Sequence, residues 1–173
     1  IWPGLVGSEM CIRDRANPDK EVISFIGDGS YLLNNTDIYS SVITKNKLII
    51  IVCDNGGFAV INRLQLFKGG KEYNNLLKSS KTPGLVDVDF AKHAESMGAK
   101  SEHVTSISDL EEAFKRAKKS DVTYVISIKT HAYKWVEGSA FWDSPTLEIP
   151  STDENKEALK LHKDGKSKQR QGI

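Results

Sequence analysis

Cysteine is scarce. Cys11 and Cys53 are the only two in 173 residues, which excludes a disulfide framework or a cysteine metal cluster and fits a reducing, cytoplasmic setting. An excess of either charge is also missing. Lys and Arg number 24 against 23 Asp and Glu, so a formal net charge of +1 offers no electrostatic footprint for nucleic acid. Long apolar runs are absent too: the longest, Leu48 to Cys53, falls far short of the roughly 20 residues that a membrane helix needs. What remains, 39% hydrophobic and 27% charged, is the composition of a soluble domain large enough for one core.

The glycines that matter stand where apolar runs end. Gly27-Asp28-Gly29-Ser30 closes the run Val22-Ile23-Ser24-Phe25-Ile26, and Asp54-Asn55-Gly56-Gly57-Phe58 closes Leu48 to Cys53. Both runs read as strands of a parallel sheet buried on both faces. Between them, Asn34 to Lys45 carries Ile38, Tyr39, Val42 and Ile43 at helical spacing behind the cap-prone Asn35-Thr36-Asp37. Right-handed closure of this strand-helix-strand unit places Asp28 beside Asn55, at the carboxyl ends of strands where open α/β sheets bind ligands.

The residue types agree with that position. An Asp carboxylate, an Asn amide oxygen and a backbone carbonyl near Gly57 are hard oxygen donors of the kind Mg2+ takes together with phosphate oxygens. Gly27, Gly29, Gly56 and Gly57 let the backbone approach a diphosphate without a Cβ in the way. A dinucleotide-binding Rossmann turn is the nearest alternative. Gly27-Asp28-Gly29-Ser30-Tyr31-Leu32 lacks its third glycine, however, and would set an unscreened acid against the pyrophosphate.

The Gly27-Asp28-Gly29 triplet, followed some two dozen residues later by Asp54-Asn55, resembles the signature of the thiamine diphosphate (ThDP) enzymes. The departure is Asp54 where many members carry Asn. The resemblance implies that Asp28, Asn55 and the Gly57 carbonyl ligate Mg2+. It also implies that Gly27, Gly29, Ser30 and the stretch Phe58, Ala59, Val60 and Ile61 line the ThDP diphosphate. Further words, among them Asn62-Arg63-Leu64-Gln65, Tyr73-Asn74-Asn75-Leu76-Leu77 and Phe141-Trp142-Asp143, are similar to the branch that hydrolyses the ring C–C bond of a trihydroxycyclohexane-1,2-dione to 5-deoxyglucuronate in inositol catabolism. On that resemblance Asn62, Arg63, Gln65, Asn74 and Asn75 are candidate contacts to the hydroxylated ring, and the whole enzyme is a homodimer or homotetramer. A 2-oxo acid decarboxylase or an acetolactate synthase-like enzyme shares the same cofactor domain. Family members take the glutamate that activates the cofactor from a separate domain, so no catalytic residue is assigned here. The chain is expected to be a fragment without turnover of its own, in the limit a non-catalytic diphosphate-binding piece.

The ends and the second half complete the reading. Leu5 to Arg15 matches the translation of a transposon-type sequencing-library adapter, so residues 1–15 are set aside, leaving a cofactor domain over 16–150 and a partly helical tail over 151–173. Lys68 to Pro83 reads as a long loop, Val86 to Gly98 as a helix with Asp87 near its start, and Ser108-Asp109-Leu110-Glu111 as the capping box of an amphipathic helix. Thr123 to Ile128 is another strand. His93, three residues after Phe90, reads as an edge-of-core residue. The aromatic cluster of Tyr133, Trp135, Phe141 and Trp142 reads as a packed tail, with Lys163 to Gln171 frayed. The β-α-β alternation predicts a doubly wound, mostly parallel sheet with helices on both faces.

Overall fold

The computed structural model describes residues 20–81, 87–135 and 149–169; residues 1–15, Pro83, Val86, Phe141, Trp142 and Arg170 lie outside the described residues. In chain order the elements are β1 (Val22–Gly27), α1 (Asp28–Leu33), α2 (Thr36–Thr44), β2 (Leu48–Asp54), α3 (Ala59–Phe67), a 3-10 turn at Leu77–Ser79, α4 (Phe90–Ser96), β3 (Lys100–Val104), α5 (Ile107–Lys119), β4 (Tyr124–Lys129) and α6 (Asp153–Lys168). They fall into two compact units, residues 1–57 with 82–131 and residues 58–81 with 132–173.

The first unit is a parallel sheet in the order β1-β2-β4-β3 with helices on both faces, the α/β architecture that the sequence predicts. On one face Tyr31, Ile38, Phe90 and Ala94 pack against Leu48, Ile50, Val52 and Val125. On the other, Ala113 and Ala117 of α5 cover Ile49, Ile51, Ile126 and Ile128. With both faces covered, β2 has no polar face to display, and its run is apolar for that reason. Each fully buried Ile or Leu there contributes about 1.5–3 kcal/mol of transfer free energy.

β1 corrects the expectation of burial on both faces. It is the edge strand: Val22 and Ile26 pack on the core, while Ile23 and Phe25 on the opposite face are 42% and 70% exposed. The helix on that face, α5, lies against β3 and β4 and leaves β1 uncovered.

Several boundaries also shift. α1 begins directly after β1, where a simple turn was expected. α4 begins at Phe90, capped by Asp89, whose carboxylate accepts the Lys92 N–H at 3.0 Å; Asp87 lies outside the helix. α5 is capped by Ser106, which accepts the Asp109 N–H at 3.0 Å, so the cap stands two residues ahead of Ser108. α6 starts behind Thr152 and runs to Lys168. Lys166 and Lys168 in its last turn complement the helix dipole, and the part expected to fray as far as Lys168 is helical. No helix among the described residues is long and apolar enough to cross a membrane.

In the second unit the stretch after α3 is tied down by backbone groups. Phe58 N–H donates to the Asn75 carbonyl at 2.7 Å, and the Asn155 amide of α6 donates to the Gly69 carbonyl at 3.0 Å. A Cβ on Gly69 would sit 2.7 Å from the Glu154 carbonyl oxygen, so α6 closes on this loop only because the position is glycine.

Candidate functional site

Parallel pairing of β1 with β2 sets Gly27 opposite Cys53, so the residues that follow each strand emerge side by side. Asp28, the first residue of α1, is 4% exposed. Its Oδ2 accepts the Gly57 N–H at 2.5 Å and its Oδ1 the Asn55 N–H at 3.4 Å. Burial pushes the Asp28 carboxyl above its usual range, the two N–H donors oppose that, and the neighbouring charge of Asp54 adds to it.

The loop itself is shaped by Asp54, whose Oδ1 accepts the Gly56 N–H at 3.0 Å. Gly56 and Gly57 then take φ values of +79° and +136°, a path that side chains disfavour. The consequence is a convergence of acceptors. The Asn55 amide oxygen lies 2.8 Å from the Gly57 carbonyl oxygen and 3.2 Å from Asp28 Oδ1, with no hydrogen between them. Two arrangements relieve this. Either the amide turns over and its nitrogen donates to both oxygens, or a cation sits among the three.

Neighbouring oxygens in an octahedral Mg2+ shell, with bonds of 2.0–2.1 Å at right angles, stand about 2.9 Å apart. The two separations straddle that value. The donor set fits as well, since Mg2+ takes one or two carboxylates and leaves the rest of its shell to water and phosphate. Among the described residues no group of three His, Cys, Asp or Glu side chains is poised to hold a metal, so the softer transition-metal sets are not built.

The remaining sequence candidates are placed as follows. Gly27 caps α1, Gly29 is buried beside Asp28, and Ser30 is exposed. Phe58, Val60 and Ile61 are half-exposed and Ala59 is buried, all four in the second unit. There the expected ring contacts are engaged with protein groups of the same unit. Asn62 is 1% exposed and donates to Glu72 at 2.9 Å, while its amide oxygen has no partner. Asn75 donates to Gln65 Oε1 at 2.5 Å, and Gln65 donates to the Lys71 carbonyl at 2.6 Å. Asn74, at φ +53°, accepts the Lys81 N–H at 3.2 Å, and the Arg63 guanidinium lies 5.1 Å above the Trp135 ring. His93 meets the buried Tyr31 hydroxyl at 2.9 Å, a core-edge role as expected; burial raises that phenol to about 12.

One residue of the site was not legible in sequence. Lys129, at the end of β4 and in register with Asp54, brings its Nζ to 2.6 Å from Asp54 Oδ2 and 3.1 Å from Asp87 Oδ1. These contacts, Asp54 first, raise the Lys129 pKa. The available signal was positional: a charged residue ends β4 at the level where one ends β2.

Comparison with known proteins bears on this geometry. The model of the family "thiamine pyrophosphate enzyme, C-terminal TPP binding domain" matches residues 2–128. The 3D-(3,5/4)-trihydroxycyclohexane-1,2-dione hydrolase of Bacillus licheniformis is 32% identical over 146 residues, 84% of this chain and 23% of that protein. The protein of the same name from Clostridium botulinum is 33% identical over 155 residues, 86% of this chain and 24% of its own length. Among solved structures, the thiamine diphosphate-dependent 4-hydroxybenzoylformate decarboxylase of Rhodococcus jostii RHA1 superposes with a TM-score of 0.56 at 30% identity, covering 68% of this chain and 21% of that one. The chain thus spans about a quarter of the length of the curated relatives it matches.

Proposed function

Because the chain belongs to the thiamine pyrophosphate enzyme C-terminal TPP-binding domain family, we propose that it anchors the diphosphate of ThDP through Mg2+ held by Asp28, Asn55 and the Gly57 carbonyl. The observation that carries this reading is the convergence of the buried Asp28 carboxylate, the Asn55 side-chain amide and the Gly57 backbone at the paired ends of β1 and β2. When bound, ThDP supplies carbanion stabilisation, the hard part of the chemistry. The chain's own residues bind and orient. Asp28 would bring the negative charge that a divalent ion requires, Asn55 and the Gly57 carbonyl would add neutral oxygen ligands, and Gly27, Gly29 and Ser30 would receive the diphosphate.

For the whole protein we propose hydrolysis of the ring C–C bond of 3D-trihydroxycyclohexane-1,2-dione, in a cytoplasmic homodimer or homotetramer. Support comes from the names of the curated relatives at 32% and 33% identity. A 2-oxo acid decarboxylase is the second reading, favoured by the 30% identity to the Rhodococcus enzyme. Turnover of the dione against 2-oxo acids by an enzyme that carries this domain separates the two.

Calorimetric titration of the chain with ThDP tests the anchor. Binding should need Mg2+ and vanish with a chelator; the same affinity with and without Mg2+ would overturn the assignment.

A further inference from the structure

Asp54 is where this chain departs from the Asn-Asn pair of many ThDP enzymes, and the structure shows what the departure requires. The Asp54 side chain is 7% exposed and lies close enough to Asp28 to raise its pKa. An Asn at this position would still accept the Gly56 N–H through its amide oxygen. A carboxylate does so too, but it also leaves a second charged oxygen in a poorly solvated place, next to a carboxylate and, on the reading above, next to a diphosphate. Buried charge of one sign must be paired or it destabilises what holds it.

The pairing comes from the neighbouring strand. Lys129 Nζ sits 2.6 Å from Asp54 Oδ2, and the backbone clamps the same contact, since Thr130 N–H donates to the Asp54 carbonyl at 2.7 Å. Asp87, at 3.1 Å from the same Nζ, holds the ammonium from its exposed side. Asp54 is thereby fixed at both oxygens: Oδ2 by Lys129 and Oδ1 by the Gly56 N–H. The second of these bonds sets the turn that brings the Asn55 side-chain amide and the Gly57 N–H to Asp28.

We infer that Asp54 and Lys129 form a positioning pair that holds the Asp54–Gly57 loop in its cation-ready conformation, and that Lys129 becomes dispensable when position 54 carries Asn. The inference rests on the Mg2+-ThDP reading for its effect on affinity, but not for its effect on the loop.

A double-mutant cycle with two readouts decides it, using the full chain with Lys129→Met, Asp54→Asn and the pair combined. Calorimetry with ThDP and saturating Mg2+ should show affinity weakened about tenfold by Lys129→Met in the parent, and by less than about twofold when Asp54→Asn is already present. Lys129→Arg should restore most of the loss. Amide hydrogen exchange at Gly56 and Gly57, read without ligand, should speed up in Lys129→Met and return towards the parent rate in the double variant. A Lys129→Met effect of equal size in both backgrounds, or no effect in either, would overturn the pair. If the parent chain binds no ThDP, the cofactor reading fails, and the exchange rates alone decide the inference.

Discussion

The ends of β1 and β2 and the stretch from Asn62 to Asn75 are both rich in Asp, Asn and Gln, yet they use these groups in opposite ways. At the strand ends, the Asn55 side-chain amide meets the Gly57 carbonyl at 2.8 Å and Asp28 Oδ1 at 3.2 Å, and those two oxygens are answered either by the amide nitrogen turned towards them or by a cation. Between Asn62 and Asn75, donors have found acceptors in Asn62 to Glu72, Asn75 to Gln65 and Gln65 to the Lys71 carbonyl. A set of polar groups that pairs its donors internally, as this one does with only the buried Asn62 Oδ1 left without a partner, is a structural network. One whose oxygens converge at the ends of two strands can be satisfied by an amide or by a cation. Polarity by itself does not mark a binding residue; the sign of what faces it does.

Asp28→Ala should break the comparison most sharply. A divalent ion loses its carboxylate, and Mg2+-dependent ThDP binding should fall by more than about a hundredfold, beyond calorimetric detection. Unchanged affinity would mean that the crowded acceptors are a turned Asn55 amide and nothing more.

In the stretch whose donors are paired the opposite pattern is expected. Asn62→Ala removes a buried donor and should cost about 1 kcal/mol of stability by thermal melting, while the ThDP affinity of the chain stays within about twofold. A large affinity loss without destabilisation would move Asn62 into the binding machinery.

The smallest effect calibrates both. Glu102 accepts Arg116 Nη2 at 2.6 Å and the Tyr124 hydroxyl at 2.6 Å, an ionic contact with its partners in place and no part in the site. The Arg116 hydrogen bond, ahead of the other causes, holds the Glu102 carboxyl below its usual range. A lowered folded pKa contributes stability above the unfolded value, and that stability is lost as pH falls through the folded one. The melting temperature of the parent should exceed that of Glu102→Gln by about 1–2 °C at pH 7, and the gap should close towards pH 3. A gap that widened on acidification would refute the sign.

How much of this could be read from sequence follows from the range of each interaction. β2 was legible because both of its faces are covered, which leaves an unbroken apolar run. β1 reads almost as apolar, yet its outer face is bare, since what covers a strand is decided by a helix elsewhere in the chain. The three oxygens were legible because one strand-helix-strand unit carries them all. Lys129 was not, because its pairing with Asp54 depends on β4 lying next to β2, and strand order is not written in any local pattern. β3 escaped for a related reason: Lys100-Ser101-Glu102-His103-Val104 is polar, as befits an edge strand, and offers no apolar run to find.

Sequence distance also sorts the site by what it costs to assemble. Asp28 and Gly57 meet across 29 residues, whereas β2 and β4 meet across 75, the span from Asp54 to Lys129. Loop-closure entropy grows only with the logarithm of length, so the longer closure costs about 0.8 kcal/mol more, but it must also wait for the strand in between to be bypassed. A folding chain can thus gather its three oxygens while the neutralising ammonium is still far away.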